Sequence, residues 1–389
     1  MNRVTGSTAL AGLVLAGFEG TTPFSDELNR LNNLGVGGFI VFARNVQDPL
    51  QVHGLLAELR SMRATENLLF AVDQEGGRVA RLREPLTVWP AMEKLGASAD
   101  PELATLVGRA LASELAALGF NVNFAPVLDV RCTDTTIAIG DRAISEQTAV
   151  VSSIGTALIK GIQSAGVMAC AKHFPGHGKV AADSHYELPV SPLDEASWRA
   201  DHLPPFSAAI NSGVAAVMTA HVVYPGLNGR CAATLSPAIM TDILRGELGF
   251  QGVLLSDDLG MGAITDQGGI GEAAVAAIRA GVDGLLVCRH LDAVEEVVEA
   301  LHRTADEDPK FATRCQQSLD RLAAAAGKHP PQPLTGDTLD GLLGCAEHQA
   351  ISARLGALAQ GLDPTLGHDD RSQAATRHSA DKVPPQDQA

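Results

Sequence analysis

The segment that decides the fold class is VMACAKHFPGHG at residues 167–178. Its first five residues are an unbroken apolar run, as expected for a strand that is covered on both faces of a sheet. The polar pair Lys172 and His173 follows at the point where that strand ends. The segment therefore predicts a buried strand over residues 167–172 with a polar loop at its carboxyl end.

Seven further apolar runs, each bounded by turn residues, predict strands of the same kind. Helices with start and stop signals lie between them, for example from Asp100 to Gly119 and from Ser236 to Gly249. Eight strands that alternate with helices favour an α/β fold of the (β/α)8 TIM-type barrel over an open doubly wound sheet. The eight predicted strands are residues 10–17, 38–43, 68–73, 122–127, 167–172, 215–220, 252–256 and 284–288.

The composition changes after residue 327. Residues 328–333, KHPPQP, are typical of a linker, and residues 342–362 predict an alanine-rich helix. Residues 367–389 are polar and are predicted to be disordered. We therefore expect a barrel domain over residues 1–327 and a short helical and disordered extension over residues 328–389.

Two interpretations of the amino terminus stay open. Arg3 followed by the apolar residues 9–17 has the composition of a signal peptide, but a short buried strand has the same composition. The lack of a small-residue cleavage pattern and the capped helix that Ser25 opens favour the strand, and hence a cytoplasmic protein. No apolar run approaches the roughly 18 residues that a membrane span needs, so we expect no integral membrane protein.

Charge and composition exclude several classes of partner. The 389 residues carry 29 Lys and Arg against 45 Asp and Glu, a formal charge of −16 that repels nucleic acid and anionic lipid. The six cysteines show no metal-ligand spacing and fit a reducing compartment. Aromatic residues make up only 4% of the chain, which argues against a long groove for stacking sugars. Any carbohydrate substrate is therefore expected to be short.

Polar residues follow the predicted strands, at the end of the barrel that carries the active site in this architecture. The densest group is the loop after residue 172, in which Lys172 and His173 are followed by Asp183 and His185. A histidine two residues from an aspartate can share a hydrogen bond with it, and such a pair suits a general acid and base. Asp183 and His185 are our candidate pair, while a structural role stays open for any single histidine of the loop.

Two more groups follow predicted strands seven and three. In SDD at residues 256–258, neighbouring side chains of an extended segment point in opposite directions, so one carboxylate alone is predicted to face the barrel axis. A helix N-cap explains one of these aspartates but not both. After strand three, Asp73 and Arg81 lie on a glycine-rich turn, and together with Arg142 they suit hydrogen bonding to sugar hydroxyls or to an amide carbonyl.

The motifs resemble those of glycoside hydrolase family 3, and most closely its β-N-acetylglucosaminidase branch. They come in the family's order and extend over residues 10–325, which is the whole predicted barrel. Two positions depart from the usual pattern, namely Tyr186 after the Asp183–His185 pair and Ala143-Ile144 after Arg142. The motifs are DQEGGRV at 73–79, NFAPVLDV at 123–130, GDR at 140–142, KHFPGHG at 172–178, DSH at 183–185 and SDD at 256–258.

This resemblance implies a retaining β-N-acetylglucosaminidase. We expect it to be an exo-enzyme that acts on short cell-wall fragments, as a monomer and without metal or cofactor. Asp257 is implied to be the nucleophile, and His185, oriented by Asp183, the general acid and base. The residues that the resemblance places around the terminal sugar are Asp73, Arg81, Arg142, Lys172 and His173.

Four alternatives stay open at this point. The same scaffold can transfer the sugar to phosphate instead of water, because a histidine acid does not repel an incoming anion as a carboxylate does. It can also act on β-glucosides. A non-catalytic sugar-binding protein would need neither Asp257 nor the Asp183–His185 pair. A metal-dependent hydrolase is poorly supported by the spacing, since no HExxH motif occurs, and its candidate ligands would be His173, His177, His185, His221 and Asp257.

Overall fold

The computed structural model describes residues 10–23, 25–63, 67–132, 139–177, 180, 188–227, 230–265 and 268–358. The strands in these residues are β1 (Val14–Gly17), β2 (Gly38–Val41), β3 (Leu69–Val72), β4 (Gln74–Gly76), β5 (Val79–Ala80), β6 (Val122–Asn123), β7 (Met168–Phe174), β8 (Ala216–Thr219), β9 (Val253–Asp258) and β10 (Gly284–Val287). All except the antiparallel hairpin β4–β5 are parallel and close a barrel in the order β1-β2-β3-β6-β7-β8-β9-β10.

Helices surround this barrel, and their ends follow the capping signals of the sequence. At the fourth helix, Asp100 accepts the N–H groups of Glu102 and Leu103, and Gly119 ends the helix with a φ of 103°. None of the described helices is both long and apolar enough to cross a membrane. The helices are α1 (Asp26–Leu34), α2 (Pro49–Met62), α3 (Met92–Ser98), α4 (Pro101–Leu118), α5 (Thr148–Ser164), α6 (Glu195–Asp201), α7 (Leu203–Asn211), α8 (Gly262–Thr265), α9 (Ile270–Ala280), α10 (Leu291–Glu307), α11 (Pro309–Lys328), α12 (Gly336–Leu342) and α13 (Ala346–Leu358), with a π-helical segment at Ala238–Glu247.

The predicted (β/α)8 barrel is confirmed, since each of the eight apolar runs overlaps one barrel strand. The first run differs in detail, because Leu10–Leu13 forms a 3-10 helix that packs against α11, and β1 begins only at Val14. Gly12 in this helix lies directly against Leu319 of α11. Residues 14–17 nevertheless pair with both β2 and β10, so the interpretation of this run as a barrel strand is confirmed.

The carboxyl-terminal extension folds back onto the barrel. Helices α12 and α13 pack against α4, α13 also packs against α3, and Leu339 and Leu355 belong to the main hydrophobic core. The predicted helix at residues 342–362 is wrong at its start, because the chain turns at Gly344, with a φ of 61°, between two separate helices. The tail predicted to be disordered lies outside the described residues, and the domain boundary at residue 327 stays a prediction.

The base of the barrel, at the amino-terminal end of β10, holds a buried ionic cluster. Asp283 is 0% exposed and pairs with Arg245 at 2.5 Å, Arg314 at 3.0 Å and Arg321 at 2.6 Å. The same carboxylate accepts the backbone N–H of Leu254 at 2.9 Å. One aspartate therefore joins β9, β10, α11 and the π-helical segment.

Candidate active site

Six of the eight residues that the sequence analysis selected lie in the described part of the chain, all at or beyond the carboxyl ends of barrel strands. The predicted acid and base pair, Asp183 and His185, lies outside the described residues. The six are Asp73 after β3, Arg81 after β5, Arg142 in the 3-10 turn Gly140–Arg142, Lys172 and His173 in β7, and Asp257 in β9.

The centre of the site is a group of interlocked charges, which we call the charged cluster (Asp73, Glu75, Arg81, Arg142 and Lys172). Lys172 Nζ lies 2.8 Å from Asp73 Oδ1 and 2.6 Å from Glu75 Oε1. Arg142 pairs with Glu75 through two hydrogen bonds, since its Nε and Nη2 donate to the two carboxylate oxygens at 2.8 Å each. Arg81 Nη2 is 3.5 Å from Asp73 Oδ2. The cluster thus holds charged donors and acceptors in fixed positions.

The two carboxylates and Lys172 of this cluster are held in their charged forms. Burial alone would raise the pKa of Asp73, but the positive charges of Lys172 and Arg81 outweigh it and keep that pKa below its ordinary value. The pKa of Glu75 is also lowered, because Arg142 and Lys172 outweigh the effect of its burial. Burial would lower the pKa of Lys172, but the two carboxylates raise it. At neutral pH the site therefore offers carboxylates as acceptors and cations as donors.

Glu75 was not among the residues selected from the sequence. The available signal was its spacing, because Asp73 and Glu75 are two residues apart in an extended segment and so share a face. The glycine-rich turn expected after strand three is the hairpin β4–β5, in which Gly76 and Gly77 have φ values of 106° and 58°. This hairpin turns Glu75 towards Arg142 and Lys172.

Asp129 is a second site residue that was not selected. It is 1% exposed, its Oδ2 lies 2.7 Å from His173 Nδ1, and its Oδ1 accepts the backbone N–H of His177 at 2.7 Å. Burial would raise the pKa of Asp129, but the adjacent His173 lowers it to about 2. The rings of His173 and His177 meet edge to face, with their centroids 5.3 Å apart. Asp129 thereby sets the position of His173, one of the predicted sugar ligands.

We expect the free energy of unfolding to fall as the pH is lowered from 6.5 to 4, in part because of His177. Burial lowers the pKa of His177 from its ordinary 6.5 to about 4, so over this interval the unfolded chain binds a proton that the folded protein does not. Burial lowers the pKa of His221 as well, with the same sign. Urea unfolding at a series of pH values measures the slope, which should be shallower in a His177→Gln variant. An equal slope in that variant would contradict the assignment.

The two neighbouring aspartates of β9 have different surroundings. Asp258 Oδ1 accepts the N–H groups of Gly260 and Cys288 at 3.0 Å each, which ties it to the end of β10. Burial raises the pKa of Asp258 above its ordinary value. The half-buried Asp257 accepts the N–H of Asp258 at 2.8 Å and donates its own N–H to Thr219 Oγ1 at 3.3 Å. Asp258 thus holds the backbone at the ends of β9 and β10.

Two of the candidate metal ligands of the sequence analysis, His173 and His221, use their ring nitrogens in other contacts. His221 Nδ1 lies 2.7 Å from Thr234 Oγ1, and its Nε2 lies 3.0 Å from the carbonyl oxygen of Asp258. His173 Nδ1 is held by Asp129. Over the described ranges, no group of three or more His, Cys, Asp and Glu side chains is arranged to hold a metal ion. The geometry of these residues does not favour the metal-dependent alternative.

The family follows from a comparison with known proteins. Residues 11–318 match the model of the glycosyl hydrolase family 3 N-terminal domain, from the first turn at the base of the barrel into α11. The chain belongs to glycosyl hydrolase family 3. The resemblance that the motifs carried is thereby confirmed.

Similar proteins narrow the activity within glycosyl hydrolase family 3. A beta-hexosaminidase of Nitrosomonas eutropha is 40% identical over 296 residues, which are 75% of this chain and 84% of the relative. A beta-hexosaminidase of Neisseria meningitidis serogroup B is 38% identical over 363 residues, 92% of this chain and 96% of the relative. The family 3 enzyme described here is a β-N-acetylhexosaminidase, as the motifs predicted.

Solved structures of the family share the architecture. A glycoside hydrolase family 3 beta-N-acetylglucosaminidase from Paenibacillus sp. str. FPU-7 has a TM-score of 0.85 and 37% identity, and covers 92% of this chain and 69% of that one. Native NagZ from Neisseria gonorrhoeae has a TM-score of 0.75 and 36% identity, and covers 90% of this chain and 98% of that one. The charged cluster therefore sits in a family 3 barrel whose overall path is shared with both.

Proposed function

We propose that this β-N-acetylhexosaminidase is a retaining exo-enzyme that removes terminal N-acetylglucosamine from short peptidoglycan fragments. The observation that carries the proposal is the shared location of the half-buried Asp257 and the charged cluster. Asp257 of β9 donates its N–H to Thr219 at the end of β8, and β8 pairs with β7, the strand that carries Lys172. A candidate nucleophile and a set of fixed sugar ligands therefore lie around one strand.

The proposed reaction has two steps. Asp257 attacks the anomeric carbon while His185, oriented by Asp183, gives a proton to the leaving oxygen, so the glycosidic bond breaks as a glycosyl ester forms. His185 then takes a proton from water, which attacks the anomeric carbon and releases the Asp257 carboxylate. Two inversions at this carbon retain the β configuration. An imidazole with a pKa of about 6.5 can both donate and accept this proton near neutral pH.

The charged cluster and His173 are the proposed ligands of the terminal sugar. Asp73 and Glu75 are carboxylates that can accept hydrogen bonds from vicinal hydroxyls, and Lys172 and Arg142 can donate to hydroxyls or to the N-acetyl carbonyl. Because these side chains already hold one another, little side-chain entropy is lost when sugar binds. Such a preorganised site suits an exo-enzyme that recognises a single terminal sugar.

The substrate class and compartment rest on composition together with the relatives. A chain with 4% aromatic residues suits a small pocket and therefore a short fragment. None of the six cysteines, all of which lie in the described residues, forms a disulfide bond, which fits a reducing compartment. We accordingly place the enzyme in the cytoplasm, as a monomer that acts on recycled wall fragments.

The test of the proposed function is the release of 4-nitrophenol from its β-N-acetylglucosaminide and from its β-glucoside, each with and without phosphate and EDTA. We expect turnover of the N-acetylated substrate, unchanged by EDTA and by phosphate. Preference for the glucoside would refute the sugar assignment. Acceleration by phosphate with release of a sugar phosphate would make the enzyme a phosphorylase, and loss of activity in EDTA would favour the metal-dependent alternative.

A His185→Ala variant is expected to lose far more activity on poor leaving groups than on good ones. A phenolate of low basicity needs little protonation to depart, whereas a sugar alkoxide needs a full proton. The measurement is kcat/KM for a series of aryl N-acetyl-β-glucosaminides against the pKa of the phenol, in the variant and in wild type. Equal losses across the series would count against His185 as the acid.

A further inference from the structure

A buried carboxylate outside the catalytic site joins the carboxyl-terminal extension to the barrel. Glu114 of α4 is 1% exposed and accepts four hydrogen bonds. Its Oε2 accepts the N–H of Thr87 at 3.0 Å, and its Oε1 accepts from Thr87 Oγ1 at 2.8 Å, Gly344 N at 2.9 Å and His348 Nδ1 at 3.0 Å. A buried carboxylate is costly unless such bonds are made, so these four donors are held together.

The extension also touches the segment at residues 82–91 directly. Ser352 Oγ of α13 donates to the carbonyl of Val88 at 2.7 Å. A β-carbon added to Gly344 would lie 2.0 Å from the carbonyl oxygen of Pro85, so only glycine allows this approach. The segment at residues 82–91 is therefore clamped between Glu114 and α13.

The same segment supports the hairpin that carries Glu75. The carbonyl of Trp89 accepts the N–H of Gly77 at 2.8 Å, and a β-carbon on Gly77 would contact Ala91 at 2.9 Å. The buried Gln74 side chain bonds the N–H groups of Arg81 and Leu82 at 2.9 Å and 3.1 Å. A shift of residues 82–91 would therefore move the hairpin and Arg81 together.

A second route leads from α13 to Arg142. Helix α13 packs against α3, and α3 packs against the 3-10 turn Gly140–Arg142. Gly96 of α3 lies so close to the carbonyl of Ile144 that a β-carbon would fall 1.7 Å from the oxygen. Both partners of the Glu75–Arg142 pair thus rest on elements that the extension supports.

We propose that Glu114, together with α13, positions the terminal-sugar site. It holds Glu75, Arg81 and Arg142 in place relative to Lys172. This inference rests on the proposed role of the charged cluster in binding sugar. Glu114 touches no reacting atom in this scheme. It acts through Thr87 and the segment at residues 82–91, and it gives the carboxyl-terminal extension a function in substrate binding.

The first test is Glu114→Gln. Whichever carboxylate oxygen the amide nitrogen replaces, that nitrogen would face an N–H or O–H group that donates to the carboxylate in wild type. We expect KM for 4-nitrophenyl N-acetyl-β-glucosaminide to rise roughly three- to tenfold with a smaller change in kcat, as for lost ground-state binding. We also expect faster amide hydrogen exchange in peptides covering residues 74–91, relative to those covering the base of the barrel.

A matched pair at residue 348 provides the rescue. Asparagine can place an N–H donor close to the position of His348 Nδ1, whereas alanine cannot. His348→Ala should raise KM and the exchange rate of residues 74–91, and His348→Asn should restore both towards wild type. If Glu114→Gln does not fold, the two His348 variants still test the positioning role of Glu114.

The stability control is Ile278→Val, a buried position of α9 between β9 and β10, on the opposite side of the barrel from α4. It should lower the Tm without changing KM. A comparable rise of KM in this control, or unchanged KM and exchange in both Glu114→Gln and His348→Ala, would overturn the positioning role. If wild type itself turns over no β-glycoside, the proposed function fails, and the exchange measurement still decides whether Glu114 holds residues 74–91.

Discussion

Replacing Asp257 with alanine is expected to lower kcat on every β-N-acetylglucosaminide by roughly 10⁴-fold or more, because the reaction then lacks its nucleophile. The loss should be the same for good and poor leaving groups, unlike the loss in His185→Ala. The measurement is steady-state turnover of aryl substrates, with circular dichroism to show that the variant is folded. Added azide should restore part of the activity and yield the α-glycosyl azide, since a small anion can enter the space of the missing carboxylate.

The matched control for this prediction is Asp258→Asn. An amide oxygen can still accept the N–H groups of Gly260 and Cys288, which are the contacts of Asp258 Oδ1 in the structure. We expect this variant to keep most of its activity. A loss as large as that of Asp257→Ala, or rescue of Asp257→Ala by azide with the β configuration in the product, would contradict the assignment of Asp257 as nucleophile.

The largest effect on stability is expected from Asp283→Ala, at the base of the barrel. Asp283 is the common partner of Arg245, Arg314 and Arg321, and its removal leaves three guanidinium groups near one another without their carboxylate. Breaking a buried ion pair in this way costs about 3–5 kcal/mol. Urea unfolding should show this decrease in the free energy of unfolding.

The control is Glu295→Ala, which removes an ion pair whose partner Arg30 is 55% exposed. Exposed ion pairs of this kind contribute about 0–1 kcal/mol to stability, so the free energy of unfolding of this variant should be close to that of wild type. The folded fraction of Asp283→Ala should keep the wild-type KM, since Asp283 lies at the end of the barrel opposite to the site. Equal stability of the two variants would show that the cluster contributes no more than a surface pair.

The sequence predicted the strands of the barrel better than the points at which some elements begin and end. All eight strands could be located, because a strand covered on both faces needs a continuous apolar run, and such runs can be read without knowledge of the partners. The start of β1 and the break at Gly344 could not be located. Both depend on contacts with distant elements, with α11 in the first case and with Pro85 and Glu114 in the second.

The sequence selected candidate residues of the site but not the contacts between them. Asp73, Lys172 and Asp257 were selected because polar residues at strand ends meet at one face of a barrel. Glu75 and Asp129 were not selected, because their partners Arg142 and His173 are distant in the sequence. The roles of Asp183 and His185, which lie outside the described residues, stay predictions.

The sequence by itself determined the barrel, the family and the identity of most candidate site residues, because apolar runs, caps and motifs are local patterns. The tertiary structure alone decided which charges meet. Lys172 pairs with Asp73 across 99 residues of chain, and Glu114 with His348 across 234. Contacts at such separations depend on how the barrel closes and on where the extension packs, and no local pattern encodes either.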